Sequence, residues 1–198
     1  KGNVLRSASG PAHVAGFNWT RPGTGTKCVG CHAGHSAQAV AVSAGDAEWF
    51  NAAPSAHATA SSSQRDGKGP QAVVDRRTVG DPAQVAWLAD TSAAQWLRLD
   101  WQEIMETRAV VLYAVRGKIK EGGPWRVRRG ELVFYQKGRE VGRVPVAREL
   151  SAEGTRFDFP PIRMDALEFR PTFVDGKLRG RPITGLAEIA TLSRLAWE

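Results

Sequence analysis

The chain has 198 residues, of which 42% are hydrophobic and 24% are charged. This length and composition suffice for one domain of ordinary size with an appendage, or for two small domains. No apolar run approaches the length of a membrane-spanning helix, and no secretory signal pattern opens the sequence. The composition therefore excludes a membrane-spanning helix within these residues.

The positive charge of the chain is unevenly placed. The formal net charge is +7, and residues 101–150 hold eleven basic and six acidic groups, which gives +5. Such a field favours anionic partners: an acidic redox protein, an anionic glycan or a membrane surface. Charge that is simply solvated on loops is the alternative. We expect no nucleic-acid partner, because no basic motif interleaved with aromatic residues is visible.

Residues 28–32 form a C-x-x-C-H motif, which contains the only two cysteines of the chain. This spacing suits covalent haem, because the thiols of Cys28 and Cys31 can form thioethers with the two vinyl groups while His32 binds the iron. Two cysteines exclude a four-thiolate zinc site, and the downstream histidine spacing of a mixed zinc site is absent. A redox dithiol would be expected between a strand and a helix, and this stretch rich in Gly, Pro and Thr offers neither. The motif therefore predicts one haem c per chain.

The same motif resembles the haem-binding segment of c-type cytochromes. The resemblance implies electron transfer. Because haem is attached outside the cytoplasm, it also implies a periplasmic or extracellular protein, whose signal has been removed or which is part of a longer precursor. Residues 1–48 form the predicted haem-binding segment. Glycine and proline interrupt it repeatedly, so we expect a loop-rich segment, unlike the several helices of a class I cytochrome c.

The second axial ligand of the iron is predicted to be His13. This residue lies between Gly10 and Gly16, whose backbone freedom would let the chain turn across the opposite face of the haem. The alternatives are a histidine from elsewhere, such as His57 or one from another chain, the thioether of Met105, or an open site.

Aromatic and basic residues flank the haem motif. Phe17 and Trp19 are predicted to stack on the porphyrin edge, because a haem covered by so short a segment needs aromatic area. Packing against the following domain is the alternative, and the two roles are compatible. Arg21 and Lys27 are candidates for pairing with the haem propionates, or are plain surface charges.

From Trp49 onwards, apolar and polar residues alternate between turn signals, a pattern typical of an antiparallel sandwich. Residues 136–139, with the sequence QKGR, predict the tight turn of a hairpin. No stretch after residue 50 indicates a long helix. The predicted strands are 96–101, 108–115, 131–136, 140–145, 155–159, 163–170 and 186–192.

The order of these elements resembles the discoidin family, also called the coagulation factor 5/8 type C or galactose-binding-like domain. The matching text is NAAP at 51–54, ATASS at 58–62, AVVD at 72–75, Trp87, QWLRLDW at 95–101, VVLY at 110–113 and GLAEI at 185–189. The resemblance covers about residues 50–197. It implies a mainly β fold, in which residues 49–198 form a discoidin-like jelly-roll β-sandwich with binding loops at one end.

Members of that family often hold a structural Ca²⁺ between an acidic loop and the last strand. By position, the resemblance implies Asp75 and Glu188 as ligands in this chain, with backbone carbonyls around Asp81. The alternatives are that Asp75 caps a turn and that Glu188 is exposed on an edge strand. The sequence departs from the family in having Arg76 where a glycine is common.

These observations together predict an extracytoplasmic monohaem cytochrome that transfers electrons and is not an enzyme, with a β-sandwich that docks it to a partner or surface. A single haem cannot carry electrons far, so we expect a redox partner or a neighbouring haem subunit, and a complex or oligomer. Two alternatives remain open. One is a haem redox enzyme or sensor with an exchangeable sixth ligand, and the other is an adhesive or structural subunit of a larger multihaem complex.

Overall fold

The computed structural model describes residues 48–64, 69–78, 86–89, 94–116, 127–175, 177–178, 181–182 and 184–196. The predicted haem-binding segment, apart from Glu48, lies outside these residues, and so do the connections at 79–85, 117–126 and 179–180.

Alternating apolar and polar residues form strands throughout the described part of the chain. Two short 3₁₀ helices, Ala53–Ser55 and Pro70–Val74, interrupt them early on. The strands are β1 (Phe50–Asn51), β2 (His57–Ala60), β3 (Trp87–Leu88), β4 (Leu97–Tyr113), β5 (Val127–Gln136), β6 (Arg139–Val146), β7 (Thr155–Val174), β8 (Lys177–Leu178), β9 (Arg181–Pro182), β10 (Gly185–Leu186) and β11 (Glu188–Leu195). The prediction of a mainly β domain is confirmed.

Two long strands, β4 and β7, bend and so divide one continuous sheet into two layers. The hydrogen-bonded order is β1-β11-β4-β7-β5-β6, with β2 also paired to β4. The five-stranded layer contains β2, β5, β6 and the parts of β4 and β7 that pair with them, residues 97–100 and 166–174. The four-stranded layer contains β1, β11 and the remaining parts of β4 and β7, residues 105–113 and 155–164.

The inner faces of the two layers share one hydrophobic core. Alternate residues of the five-stranded layer, such as Leu99, Leu132 and Phe169, belong to the same buried cluster as Leu112 and Ile189 of the four-stranded layer. Burial of that apolar surface is the main favourable term in the folding of the domain. Among the tryptophans of the described residues, Trp87 and Trp101 are buried and Trp96 is half-buried.

The predicted strands at 96–101 and 108–115 are one strand, β4, and those at 155–159 and 163–170 are likewise one strand, β7. Pro160 and Pro161, which cannot donate to a ladder, lie between the two predicted segments of the second pair. In the structure the register shifts between Thr107 and Ala109, opposite these prolines. Residues in a bulge do not have to donate backbone hydrogen bonds to the ladder, so the strand continues through the two prolines.

The hairpin predicted at residues 136–139 is confirmed. β5 ends at Gln136 and β6 begins at Arg139. Lys137 and Gly138 both have positive φ, at 51° and 76°, as a two-residue type I′ turn requires. No helix of the described residues is long and apolar enough to cross a membrane.

Candidate functional site

Backbone hydrogen bonds gather several connections at one end of the sandwich. The amide of Ala114, just after β4, donates to Ser151, and that of Leu150 donates to the first residue of β5, Val127. The amide of Ala187 donates to Tyr113, the last residue of β4. We call this the loop end, defined by residues 113–116, 150–154 and 184–188.

The acidic loop after the second 3₁₀ helix also reaches the loop end. Asp75 follows this helix directly, and its Oδ1 accepts a hydrogen bond of 2.9 Å from the amide of Arg77. Between them, Arg76 has a φ of 67°, in the left-handed region where glycine is favoured and other residues are strained. Arg76 therefore adopts a conformation that suits the glycine common in the discoidin family, and its amide points towards β11.

Glu188 accepts a hydrogen bond from that amide. The Arg76 N–H donates to Oε2 of Glu188 at 3.1 Å, and the side chain of Glu188 is fully buried. Its other oxygen, Oε1, is buried and has no hydrogen-bond partner among the described residues. Burial, reinforced by repulsion from Asp75, raises the pKa of Glu188 to about 10, although the backbone amides of Arg76 and Arg77 oppose this shift.

Two alternatives to calcium binding were considered. Exposure of Glu188 on an edge strand is wrong, and the capping of a turn by Asp75 is confirmed. Glu188 is not exposed on an edge strand, because it is buried and β11 lies between β1 and β4. Asp75 is exposed and does cap a turn. Two carboxylates on separate elements thus influence each other, as the calcium prediction required, while Asp81 lies outside the described residues.

The donor set fits a hard cation in part. Ca²⁺ takes carboxylate and carbonyl oxygens, and the unpaired Oε1 of Glu188 is a buried acceptor without a positive partner. Within the described ranges no cluster of three or more His, Cys, Asp or Glu side chains suits a metal ion. Further ligands would therefore have to be carbonyl oxygens of the loops.

The predicted haem residues lie outside the described residues, so their roles stay predictions. They are Cys28, Cys31, His32, His13, Phe17, Trp19, Arg21 and Lys27. Two alternatives for the sixth ligand are described. His57 is exposed at the start of β2, whereas Met105 is 3% exposed within β4 and belongs to the core. The predicted strands 96–101 and 108–115 leave Met105 in a connection between them, and this prediction is wrong, because β4 continues through Met105.

An ion-pair network on the outer face of the five-stranded layer was not predicted. Arg98 pairs with Asp100 at 2.9 Å and with Glu168 at 3.8 Å. Arg170 bonds to Glu168 and to the hydroxyl of Tyr135. We call the whole network the ionic ladder, with the members Asp100, Arg98, Glu168, Arg170, Glu131, Arg143 and Glu140.

The sequence already shows the charged residues of this ladder at alternate positions of the strands. Arg98 and Asp100 share one face of β4, and Glu168 and Arg170 share one face of β7. Their cross-strand register, Arg98 opposite Glu168, follows from the sheet pairing alone. A sequence shows the alternation but does not show which strands are neighbours.

Several arginines of the basic block 101–150 are neutralised within the molecule. Arg116 pairs with Glu153, Arg128 with Asp175, and Arg143 with two glutamates of the ionic ladder. Because Glu153 and Asp175 lie outside the block, the first two pairs make its field weaker than +5 suggests, whereas the two glutamates that pair with Arg143 are already counted in the +5.

The sequence and fold have relatives among known proteins. Residues 51–192 match the model of a family described as a domain of unknown function, DUF7402. No curated protein matches the chain significantly.

Solved structures similar to the sandwich include a fucose-binding module of Streptococcus pneumoniae, with 18% identity and a TM-score of 0.57 over 73% of this chain and 95% of that one. A family 32 carbohydrate-binding module of NanJ from C. perfringens, in complex with galactose, has 12% identity and a TM-score of 0.57, over 73% of this chain and 98% of that one. A fucolectin from striped bass (Morone saxatilis) serum has 15% identity and a TM-score of 0.58, over 75% of this chain and 50% of that one. These similarities confirm a galactose-binding-like jelly-roll fold for the β-sandwich.

Proposed function

The chain belongs to the DUF7402 family of domains of unknown function, and we propose that it is an extracytoplasmic monohaem c-type cytochrome whose family domain is a non-catalytic binding module. The observation that carries this proposal is the C-x-x-C-H motif at residues 28–32, joined to a galactose-binding-like β-sandwich. In this proposal the module holds the haem segment close to a surface from which, or to which, electrons pass.

The geometry of β11 supports this division of labour. Glu188, at the loop end, begins the strand, while Ser193 near its other end pairs with Phe50 of β1. The described chain begins beside this second end, at Glu48. At about 3.3 Å per residue, the two ends lie roughly 20 Å apart. A ligand held at the loop end would therefore not compete for space with the point where the haem segment joins the sandwich.

We propose a glycan as the ligand of the module. The similar structures are described as binding fucose or galactose, and this chain shares their fold. Pairing of Arg116 with Glu153 and of Arg128 with Asp175 weakens the case for an anionic ligand. We therefore propose an uncharged glycan as the ligand, with a separate protein as the redox partner of the haem.

We further propose that Asp75 and Glu188 hold a Ca²⁺ ion at the loop end. The cation would give the unpaired Oε1 of Glu188 a partner and would take the place of the proton that its raised pKa retains. Its role would be structural: it would hold the acidic loop against β11 and so order the loops that bind the ligand.

Mass spectrometry of the denatured full chain tests the haem. We expect the mass of the polypeptide plus one haem, and an unmodified mass would overturn the cytochrome proposal. In the native protein, His13→Ala should convert a low-spin haem to high spin or let carbon monoxide bind. A low-spin spectrum that survives this change would place the sixth ligand elsewhere.

Glycan binding is tested by titrating the full chain with fucosylated and galactosylated oligosaccharides across a salt series. We expect saturable binding whose strength changes little with salt, because an uncharged ligand releases no counterions. Binding to no sugar, together with salt-dependent binding to an acidic protein, would contradict the glycan proposal and leave the haem assignment standing.

Calcium binding is tested by thermal unfolding with excess Ca²⁺ and with a chelator. Ligand bound only to the folded state raises the melting temperature, so we expect a rise in the wild type and none in Glu188→Gln. Glu103→Gln is the matched control, because Glu103 is an exposed acid of β4. An equal rise in Glu188→Gln would contradict these ligands.

A further inference from the structure

The outer face of the four-stranded layer is apolar. Ala109, Val111 and Tyr113 of β4 alternate with core residues and point away from the core, and Ala190 and Leu192 of β11 lie opposite them in the register. These residues form a second buried cluster, separate from the core between the layers, whose members are Trp49, Ala109, Val111, Tyr113, Ala187, Ala190 and Leu192. We call this cluster the outer apolar face.

Its members are far less exposed than the outside of a sheet normally is. Ala190 and Leu192 have no exposed surface, and Val111 is 4% exposed. An antiparallel sheet with one face on the core commonly has its other face in solvent, so burial on this side is unusual. The described residues that lie against this face include Trp49 and the turn at Gly154, where an added Cβ would come within 2.8 Å of Tyr113.

Two arginines contact Trp49 on this face. The guanidinium carbons of Arg108 and Arg194 lie 4.6 Å and 4.7 Å from the centre of its ring. Arg194 also pairs with Glu106 at 3.1 Å and with Glu48 at 3.2 Å. These contacts hold the first described residues of the chain on the outer apolar face, so residues 1–47 join the sandwich there.

Residues 1–47 need such a surface. A segment of roughly this length seldom buries enough apolar area to fold alone. Its two cysteines are separated by only two residues, so a disulfide between them would not tie distant parts of the segment together. It nevertheless contains large apolar residues, including Leu5, Phe17 and Trp19.

We propose that the outer apolar face is the docking surface for residues 1–47 of the same chain. Its small residues, Ala109, Ala187 and Ala190, leave room for chain or for a flat group to pack closely on the sheet. The segment that carries Cys28 and Cys31 is thereby held against the sandwich and does not swing freely on a linker. This inference goes beyond the proposed function and does not require that haem be attached.

Photo-crosslinking of the full chain tests the proposal. Arg156 of β7 lies opposite Val111 in the register, at the border of the outer apolar face, and its side chain is 40% exposed. Arg143 lies on the other layer, in the ionic ladder, and is 47% exposed. Each is an arginine at a strand position and in an ion pair, so Arg156→p-benzoylphenylalanine and Arg143→p-benzoylphenylalanine form a matched pair.

After irradiation and digestion, we expect position 156 to yield cross-links within one chain to peptides from residues 1–47. Position 143 should yield few or none. Absence of such peptides from position 156, equal yields from both positions, or cross-links only between two chains would each overturn the proposal. Circular dichroism of both variants confirms that the sandwich is folded.

The haem content of the same samples, measured by mass, separates this proposal from the cytochrome proposal. Cross-links from position 156 in a chain without haem support the docking surface and overturn the haem. A haem-loaded chain without those cross-links supports the haem and overturns the docking surface.

Discussion

Two glutamates are buried in the sandwich, and they are held in opposite ways. Glu168 lies in the ionic ladder and pairs with Arg98 and Arg170. Glu188 lies at the loop end, accepts a hydrogen bond from the amide of Arg76, and has a second, buried oxygen without a hydrogen-bond partner among the described residues. A buried carboxylate that is paired contributes to structure, whereas one that lacks a partner is prepared to take a proton or a cation.

The largest expected effect concerns the pH dependence of stability in the absence of calcium. The pKa of Glu188 is about 10 in the folded state against an ordinary value of 4.5, so the folded state retains a proton that the unfolded chain releases. Stability is therefore full below the unfolded pKa and falls as pH rises, by at most about 1.4 kcal/mol per pH unit between these two values.

The measurement is urea unfolding from pH 6 to pH 9 with a chelator, for the wild type and for Glu188→Gln. The neutral amide cannot lose a proton, so only the wild type should lose unfolding free energy through residue 188 as pH rises. The variant should therefore become more stable relative to the wild type at higher pH. Parallel profiles would show that Glu188 titrates normally and that the contrast between the two glutamates is false.

The same substitution at the other glutamate should act in the opposite direction. Glu168→Gln removes the charge that Arg98 and Arg170 share, and we expect a loss of about 1–3 kcal/mol at neutral pH, the cost of a disrupted bond to a charged group. Urea unfolding at pH 7 measures it, with Glu103→Gln as the exposed control. A variant as stable as the control would mean that the ladder contributes nothing through Glu168.

The smallest expected effect lies at the edge of the ladder. Arg143 bonds to Glu131 and Glu140, which raises the pKa of the arginine and lowers that of Glu140. Exposed pairs of this kind are screened by solvent and contribute little, so Arg143→Met should leave the melting temperature within the scatter of repeated measurements. A clear drop would show that the ladder acts as one cooperative unit out to β6.

The sequence predicted which residues belong to the candidate site but did not predict their surroundings. Asp75 and Glu188 were identified by their place in a family-like order of elements, and the structure brings them into electrostatic contact. The burial of Glu188 could not be predicted, because it depends on the pairing of β11 with β4 and on an unusual backbone angle at Arg76, whose amide reaches Glu188. The core location of Met105 was missed for a similar reason: a bulged strand looks like a loop in the sequence.

The sequence by itself determined what depends on neighbours along the chain. The C-x-x-C-H motif is a covalent pattern of five adjacent residues, the alternation after Trp49 follows from the two-residue repeat of a strand, and Lys137-Gly138 suits a turn that needs positive φ. Tertiary structure decided what depends on partners distant in sequence: the bends of β4 and β7, the pairing of Glu168, the unpaired oxygen of Glu188 and the apolar outer face beneath Trp49. The physical reason is that burial and charge pairing are properties of the space between strands, and strand register fixes that space only once the whole sheet has formed.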